Sequence, residues 1–164
     1  KDCWRKKGRN NMANTEIRTI VAPLLGGHIL LPNVAVAELQ AFILPEPLKR
    51  APNWVLGELI WHGWQVPVIS FENMIDENYG NSITPKARIL IIKTLGESTQ
   101  VNYIGLVIQG LPRLRKVTAN SLIEKPGEDI PDIVFSEVSI GDMDAYIPEL
   151  SELARAVERA AYGS

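Results

Sequence analysis

The residues that carry most enzyme chemistry are scarce in this chain. One cysteine, Cys3, and two histidines, His28 and His62, occur in 164 residues. A lone thiol excludes an internal disulfide and any metal site built on several thiolates. The histidines stand 34 positions apart, so they form no ligand pair on one element, and each reads as a turn or surface residue. Neither a Gly-x-Ser-x-Gly elbow nor a P-loop is present, and Gly26-Gly27 lacks the further glycines and the helix that a dinucleotide cradle requires. Acidic pairs such as Asp76-Glu77 and Glu128-Asp129 fall in expected loops and read as solvated turn residues. The expectation is a binding module without catalysis, metal or cofactor.

Long apolar runs are missing too. No stretch of about 18 apolar residues exists and no charged start leads into an apolar leader, so neither membrane insertion nor export is expected, and the cytoplasm is the expected location. Charge is unevenly spread. Residues 1–11 carry five Lys and Arg against one Asp, which leaves 12 cations against 18 acids from Met12 onward. Met12-Ala13-Asn14 resembles a natural start, so residues 1–11 are expected to be a non-native tail and the folded part acidic. An acidic fold is a poor nucleic-acid binder. The aromatic set Trp54, Trp61, Trp64 and Phe71 has no Lys or Arg interleaved, which favours core or protein interface over base stacking.

What the chain does have is turns. Eleven prolines and 12 glycines in this length imply many short elements, and β structure over helix. The central stretch is residues 54–71, WVLGELIWHGWQVPVISF, in which two apolar limbs flank His62-Gly63 and read as a β-hairpin. Alternation along its first limb places Val55, Gly57, Leu59 and Trp61 on one face, expected to be core, and Leu56, Glu58, Ile60 and His62 on the other. Pro67 in the second limb implies an edge or a bulge there.

Before this hairpin, strands are expected over 16–23 and 28–43 around a Gly26-Gly27 turn, then an irregular connection over 44–53. After it, 72–87 reads as a loop without helix, 88–95 and 101–108 as a second hairpin, 114–117 as a short strand, and 133–140 with 143–147 as a last hairpin. One amphipathic helix is signalled from Pro148 to the C-terminal residues, with Leu150, Leu153, Ala154 and Val157 at helical spacing, expected to pack on the domain.

Three segments in this order resemble the CheW family of chemotaxis adaptors. They are Val36-Ala37-Glu38-Leu39, the hairpin from Leu56 to Phe71, and Gly105-Leu106-Val107-Ile108-Gln109-Gly110-Leu111. The hairpin is similar to the family's G-hydrophobic-x-N-L-R-G-x-x-V-P-hydrophobic-hydrophobic-D-L pattern, and the resemblance covers residues 17–147. His62 stands where the family usually has Arg, and Ser70 and Gln109 where it has Asp. These departures resemble ChpC and PilI type adaptors of type IV pilus, or twitching, systems.

The resemblance implies two intertwined five-stranded SH3-like β-barrels over residues 12–147, followed by a C-terminal helix over 148–164. It implies a non-catalytic adaptor joining the cytoplasmic tip of a chemoreceptor to the regulatory domain of a CheA-like histidine kinase. Carried over by position, Val36, Glu38, Leu39, Gly57 and His62 are candidate kinase or receptor contacts, and Ile89 and Leu114 candidate receptor-groove residues. The apolar members could equally fill the barrels. Gly57→Asp is expected to abolish kinase binding without loss of fold, and an imidazole in place of Arg to make binding stronger on acidification. The rival expectation is a stand-alone barrel for a small ligand or nucleic acid, which salt-dependent binding to DNA or RNA would reveal.

Overall fold

Turn signals every few residues cut the chain into short strands. A computed structural model describes residues 15–80, 83–94, 100–125, 127 and 129–163. The elements are β1 (Ile17–Leu24), β2 (Gly27–Pro32), β3 (Val36–Ala41), β4 (Val55–Trp61), β5 (Trp64–Ile69), α1 (Phe71–Ile75), β6 (Arg88–Lys93), β7 (Tyr103–Ile108), β8 (Arg113–Val117), β9 (Ile123–Glu124), β10 (Val134–Ile140), β11 (Met143–Pro148) and α2 (Leu150–Ala161). One sheet has the order β8-β1-β2-β11-β10-β9 and the other β3-β6-β7-β5-β4. These are the two SH3-like barrels. The chain begins in the first, builds the whole of the second, and returns to finish the first, which is why they are intertwined. The first counts six strands rather than five because the two-residue β9 pairs with β10.

Three apolar cores explain why some strands alternate and others are apolar throughout. Val21, Leu30, Val138, Ile140 and Ile147 fill the first barrel. Val66, Val68, Ile89, Ile91 and Val107 fill the second. Between them lies a shared core containing Ile29, Leu31, Leu90, Ile92, Leu106 and Ile108, closed by Leu153 and Val157 of α2. A strand whose two faces meet two different cores must be apolar at every position. Thus β6 sends Ile89 and Ile91 into the second barrel and Leu90 and Ile92 into the shared core. By contrast β10, with one face outward, alternates buried and half-buried along its whole length.

Several expectations need correction. The expected strand over 28–43 is two strands in different barrels, because Pro32 ends β2 and a 3-10 turn, Asn33–Ala35, carries the chain across. The first reversal uses Leu25-Gly26, since Leu24 pairs with Gly27. A Cβ at Gly26 would push the Tyr79 ring aside. A bulge between Val55 and Gly57 splits the expected single face of β4: Val55 opposes Ile69 in the shared core, whereas Leu59 and Trp61 pack on the second barrel's core.

The strand carrying Pro67 is interior. It sits between β4 and β7, and the proline is tolerated because pairing to β7 starts one residue later, at Val68. The loop after β5 contains the short helix α1, whose buried Glu72 carboxylate accepts the Leu25 N–H and the Ser70 hydroxyl, each at 2.9 Å. Pro148 ends β11, and α2 begins two residues later. The turn expected over 96–100 lies mostly outside the described residues.

Candidate functional site

The second barrel closes with β3 and β4 as the two edges of its sheet, and a bulge decides what meets there. Ala37 is the extra residue between the pairs Val36↔Ile92 and Glu38↔Ile91. Without it Glu38 would share the face of Val36, by the period of two. With it, Glu38 shares the face of Ile91 and reaches the tip of the β4–β5 hairpin. Its Oε2 accepts the Trp61 indole N–H at 3.1 Å, and its Oε1 lies 3.7 Å from His62 Nε2.

The hairpin turn itself is made by His62 at φ 47 and Gly63 at φ 82, the left-handed pair that a two-residue turn demands. That geometry leaves the His62 side chain 68% exposed. The Trp61 ring meets His62 and Tyr103 edge-on, with centroids 4.6 and 4.8 Å away, and Trp64 leans on the other side of Tyr103 at 5.3 Å. This makes an aromatic surface around one carboxylate. Such composition, aromatic with few charges, is that of a protein interface rather than of a small-ligand site.

The seven candidate residues are distributed unequally. Glu38 and His62 meet on this surface, Leu39 is exposed on the opposite face of the same strand, and Val36 sits half-buried at its start. Gly57 and Ile89 are buried within the chain's own barrel. Ile89 is fully buried in the second barrel. Gly57 is buried at φ +146, where a Cβ would overlap the Glu46 carbonyl. Glu46 and Glu58 exchange both backbone hydrogen bonds at 2.9 Å, and this bridge between the irregular 44–53 connection and β4 runs close over Gly57. Leu114 belongs to a different place, the exposed edge strand β8 of the first barrel.

Two positioning residues were missed by sequence reasoning. The sequence places Trp61 in core or interface without its indole hydrogen bond to Glu38. Tyr162, past the end of α2, donates its hydroxyl to Glu58 Oε2 at 2.7 Å and so ties the C-terminal helix to β4. Burial, then this hydrogen bond to a carboxylate, pushes the Tyr162 phenol well above its ordinary range. No local signal in the sequence marks either contact. On the first barrel, the Ser139 hydroxyl at 2.8 Å and then Lys125 at 3.2 Å hold the Asp144 carboxyl below the usual carboxylate range. Among the described residues no helix is long and apolar enough to cross a membrane.

Comparison with known proteins gives one family and one fold. Residues 19–157 match the CheW-like domain family. Among solved structures the chain is similar to the crystal structure of the scaffolding protein TtCheW from Thermoanaerobacter tengcongensis, with a TM-score of 0.69 and 19% identity over 83% of this chain and 86% of that one. At that identity the likeness carries the fold alone. No curated protein matches the sequence.

Proposed function

Because the chain belongs to the CheW-like domain family, we propose that it is a non-catalytic chemosensory adaptor. It holds the cytoplasmic tip of a chemoreceptor and the regulatory domain of a CheA-like histidine kinase at the same time. The observation that carries this reading is the extent of the family match: residues 19–157 include both barrels and the buried face of α2, so both exposed surfaces lie within it. In this reading Glu38, Leu39 and His62, steadied by Trp61, receive the kinase domain, and Leu114 receives the receptor. Each surface is on the scale of about 800 Å² per partner. Individually weak, micromolar contacts then become a stable assembly because several are made at once.

Retention of a CheA-like kinase or a receptor signalling domain from a bacterial lysate, with the full chain as bait and mass spectrometry as readout, tests the reading. A bound metabolite or nucleic acid in their place would overturn it. We further propose a type IV pilus output. Two of the three departures from the family pattern have neutral tasks inside the fold: the Ser70 hydroxyl donates to Glu72 at 2.9 Å, and the Gln109 amide oxygen accepts from the Thr84 hydroxyl at 2.9 Å. Loss of twitching with intact swimming in a deletion strain is the expected phenotype, and the reverse would exclude it.

A further inference from the structure

The second barrel is closed by a backbone bridge that stands alone. Its sheet has β3 and β4 as edges, and after Ala41 the chain turns back so that Glu46 meets Glu58 of β4. Bonded and open positions alternate along an antiparallel strand. Glu58 turns its N–H and C=O away from Pro67, its partner on β5, and exchanges both with Glu46 at 2.9 Å. Pro45 is buried against Gly57, whose missing Cβ leaves room for the Glu46 carbonyl. The bridge is isolated, so no flanking ladder supports these two bonds.

Support comes from far along the chain. Glu58 is half-buried, and among the described residues its carboxylate has one partner, the Tyr162 hydroxyl, which donates to Oε2 at 2.7 Å. Tyr162 follows α2, whose Leu153 and Val157 are fully buried in the shared core, and its own ring packs against that core. The hydroxyl is therefore carried on an anchored ring rather than on a free end. A half-buried carboxylate that loses its donor is desolvated without compensation, and it regains water by lifting the strand edge that carries it. Lifting Glu58 breaks both bonds to Glu46.

The same edges meet again at the β4–β5 hairpin. Three residues beyond Glu58, Trp61 donates its indole N–H to Glu38 of β3, which stands eight residues before Glu46. Both closures cross the gap between β3 and β4, and a side-chain contact across it persists only at the spacing that the backbone bridge sets. We infer that Tyr162 is a positioning residue for the second barrel's contact surface: through Glu58 it keeps the Glu46 bridge closed, and the closed bridge holds Glu38 and Trp61 within hydrogen-bonding distance. That this surface receives a kinase domain rests on the adaptor reading. That Tyr162 sets its geometry rests on these contacts alone.

Tyr162→Phe keeps the ring and removes the hydroxyl. The full chain reports the result through the Trp61 indole N–H in a nitrogen–proton correlation spectrum, assigned with Trp61→Phe. The signal is expected to move toward the position it takes in Glu38→Ala, while the amide signals of Val21 and Leu30 in the first barrel stay in place. Loss of overall stability alone moves neither as long as the chain is folded. Glu58→Gln, which keeps an acceptor oxygen for the hydroxyl, should leave the Trp61 signal where it is. Calorimetry with a CheA-like regulatory domain is the second arm, and Tyr162→Phe should bind it about three- to tenfold more weakly, the scale of one hydrogen bond. An unmoved Trp61 signal would overturn the inference, and so would a moved signal with unchanged affinity for a kinase domain that the wild type binds. A moved signal in a chain that does not bind the kinase domain keeps the positioning role and removes the adaptor reading.

Discussion

On the second barrel the exposed cluster is a carboxylate held by an indole, and on the first it is an exposed edge strand of cations and one leucine. The second-barrel surface is assembled by backbone irregularities: the Ala37 bulge turns Glu38 toward Trp61, and the left-handed His62-Gly63 turn projects the imidazole. The first-barrel surface needs no irregularity. It follows from an edge strand, RLRKV, in which four of five residues are exposed. One surface therefore depends on accurate local geometry, and the other mainly on composition. They should fail differently when disturbed.

The largest effects are expected where the second barrel's geometry is struck directly. Gly57→Asp places a side chain at a positive φ and into the Glu46 carbonyl, at a cost on the order of 3 kcal/mol or more. This geometry favours loss of stability over lost binding with an intact fold. A marked fall in Tm, with loss of the near-UV dichroism of the Trp61 cluster, is the expected result, and an unchanged Tm would restore Gly57 as a contact. Ile89→Ala should cost about 2–4 kcal/mol by opening a cavity in the same barrel, with each surface unchanged in composition.

Next come substitutions that separate the surfaces without unfolding either barrel. Glu38→Lys should weaken kinase-domain binding by about tenfold and leave receptor binding alone, because it breaks the Trp61 contact and inverts the charge. Leu114→Asp should do the converse, to a similar degree. Titration calorimetry of each variant against each partner checks the crossing. If either variant lowers both affinities equally, the two surfaces act as one.

A smaller effect is expected at the tie between the C-terminal helix and β4. Tyr162→Phe removes one hydrogen bond to a carboxylate and should cost about 1–2 kcal/mol in chemical denaturation. The wild-type contribution has a definite pH dependence. A phenol whose folded pKa is raised contributes stability that is fully present below the unfolded value of about 10 and declines as pH rises beyond it. The difference between wild type and Tyr162→Phe should therefore narrow above about pH 10, and a difference that widens there would refute the assignment.

The smallest effect concerns His62. Its Nε2 lies 3.7 Å from Glu38 at an exposed position, with the Trp61 ring edge-on beside it. Because an exposed pair is worth little, His62→Ala should weaken kinase-domain binding by no more than about two- to threefold, and a tenfold loss by calorimetry would make His62 a principal contact.

Much of this protein was settled by sequence alone. Turn chemistry and side-chain period are local properties, so the His62-Gly63 hairpin, the paired runs that became β6 and β7, the last hairpin around Gly141 and the amphipathic stripe of α2 could all be placed from neighbouring residues. The three motif segments also carried enough order and spacing to indicate the family. What only the tertiary structure decided is which core each apolar face meets, and which exposed side chains meet one another. Ile89 and Leu90 are indistinguishable in a run such as RILIIK until the partners of both faces are known. Glu38 and Trp61 lie 23 residues apart and touch because a bulge in one edge strand and closure of the barrel bring them together. The physical reason is the same throughout. Local sequence fixes the phase of a strand only until a single inserted residue shifts it, and the hydrogen bonds that accept or reject that residue come from strands far away in the chain.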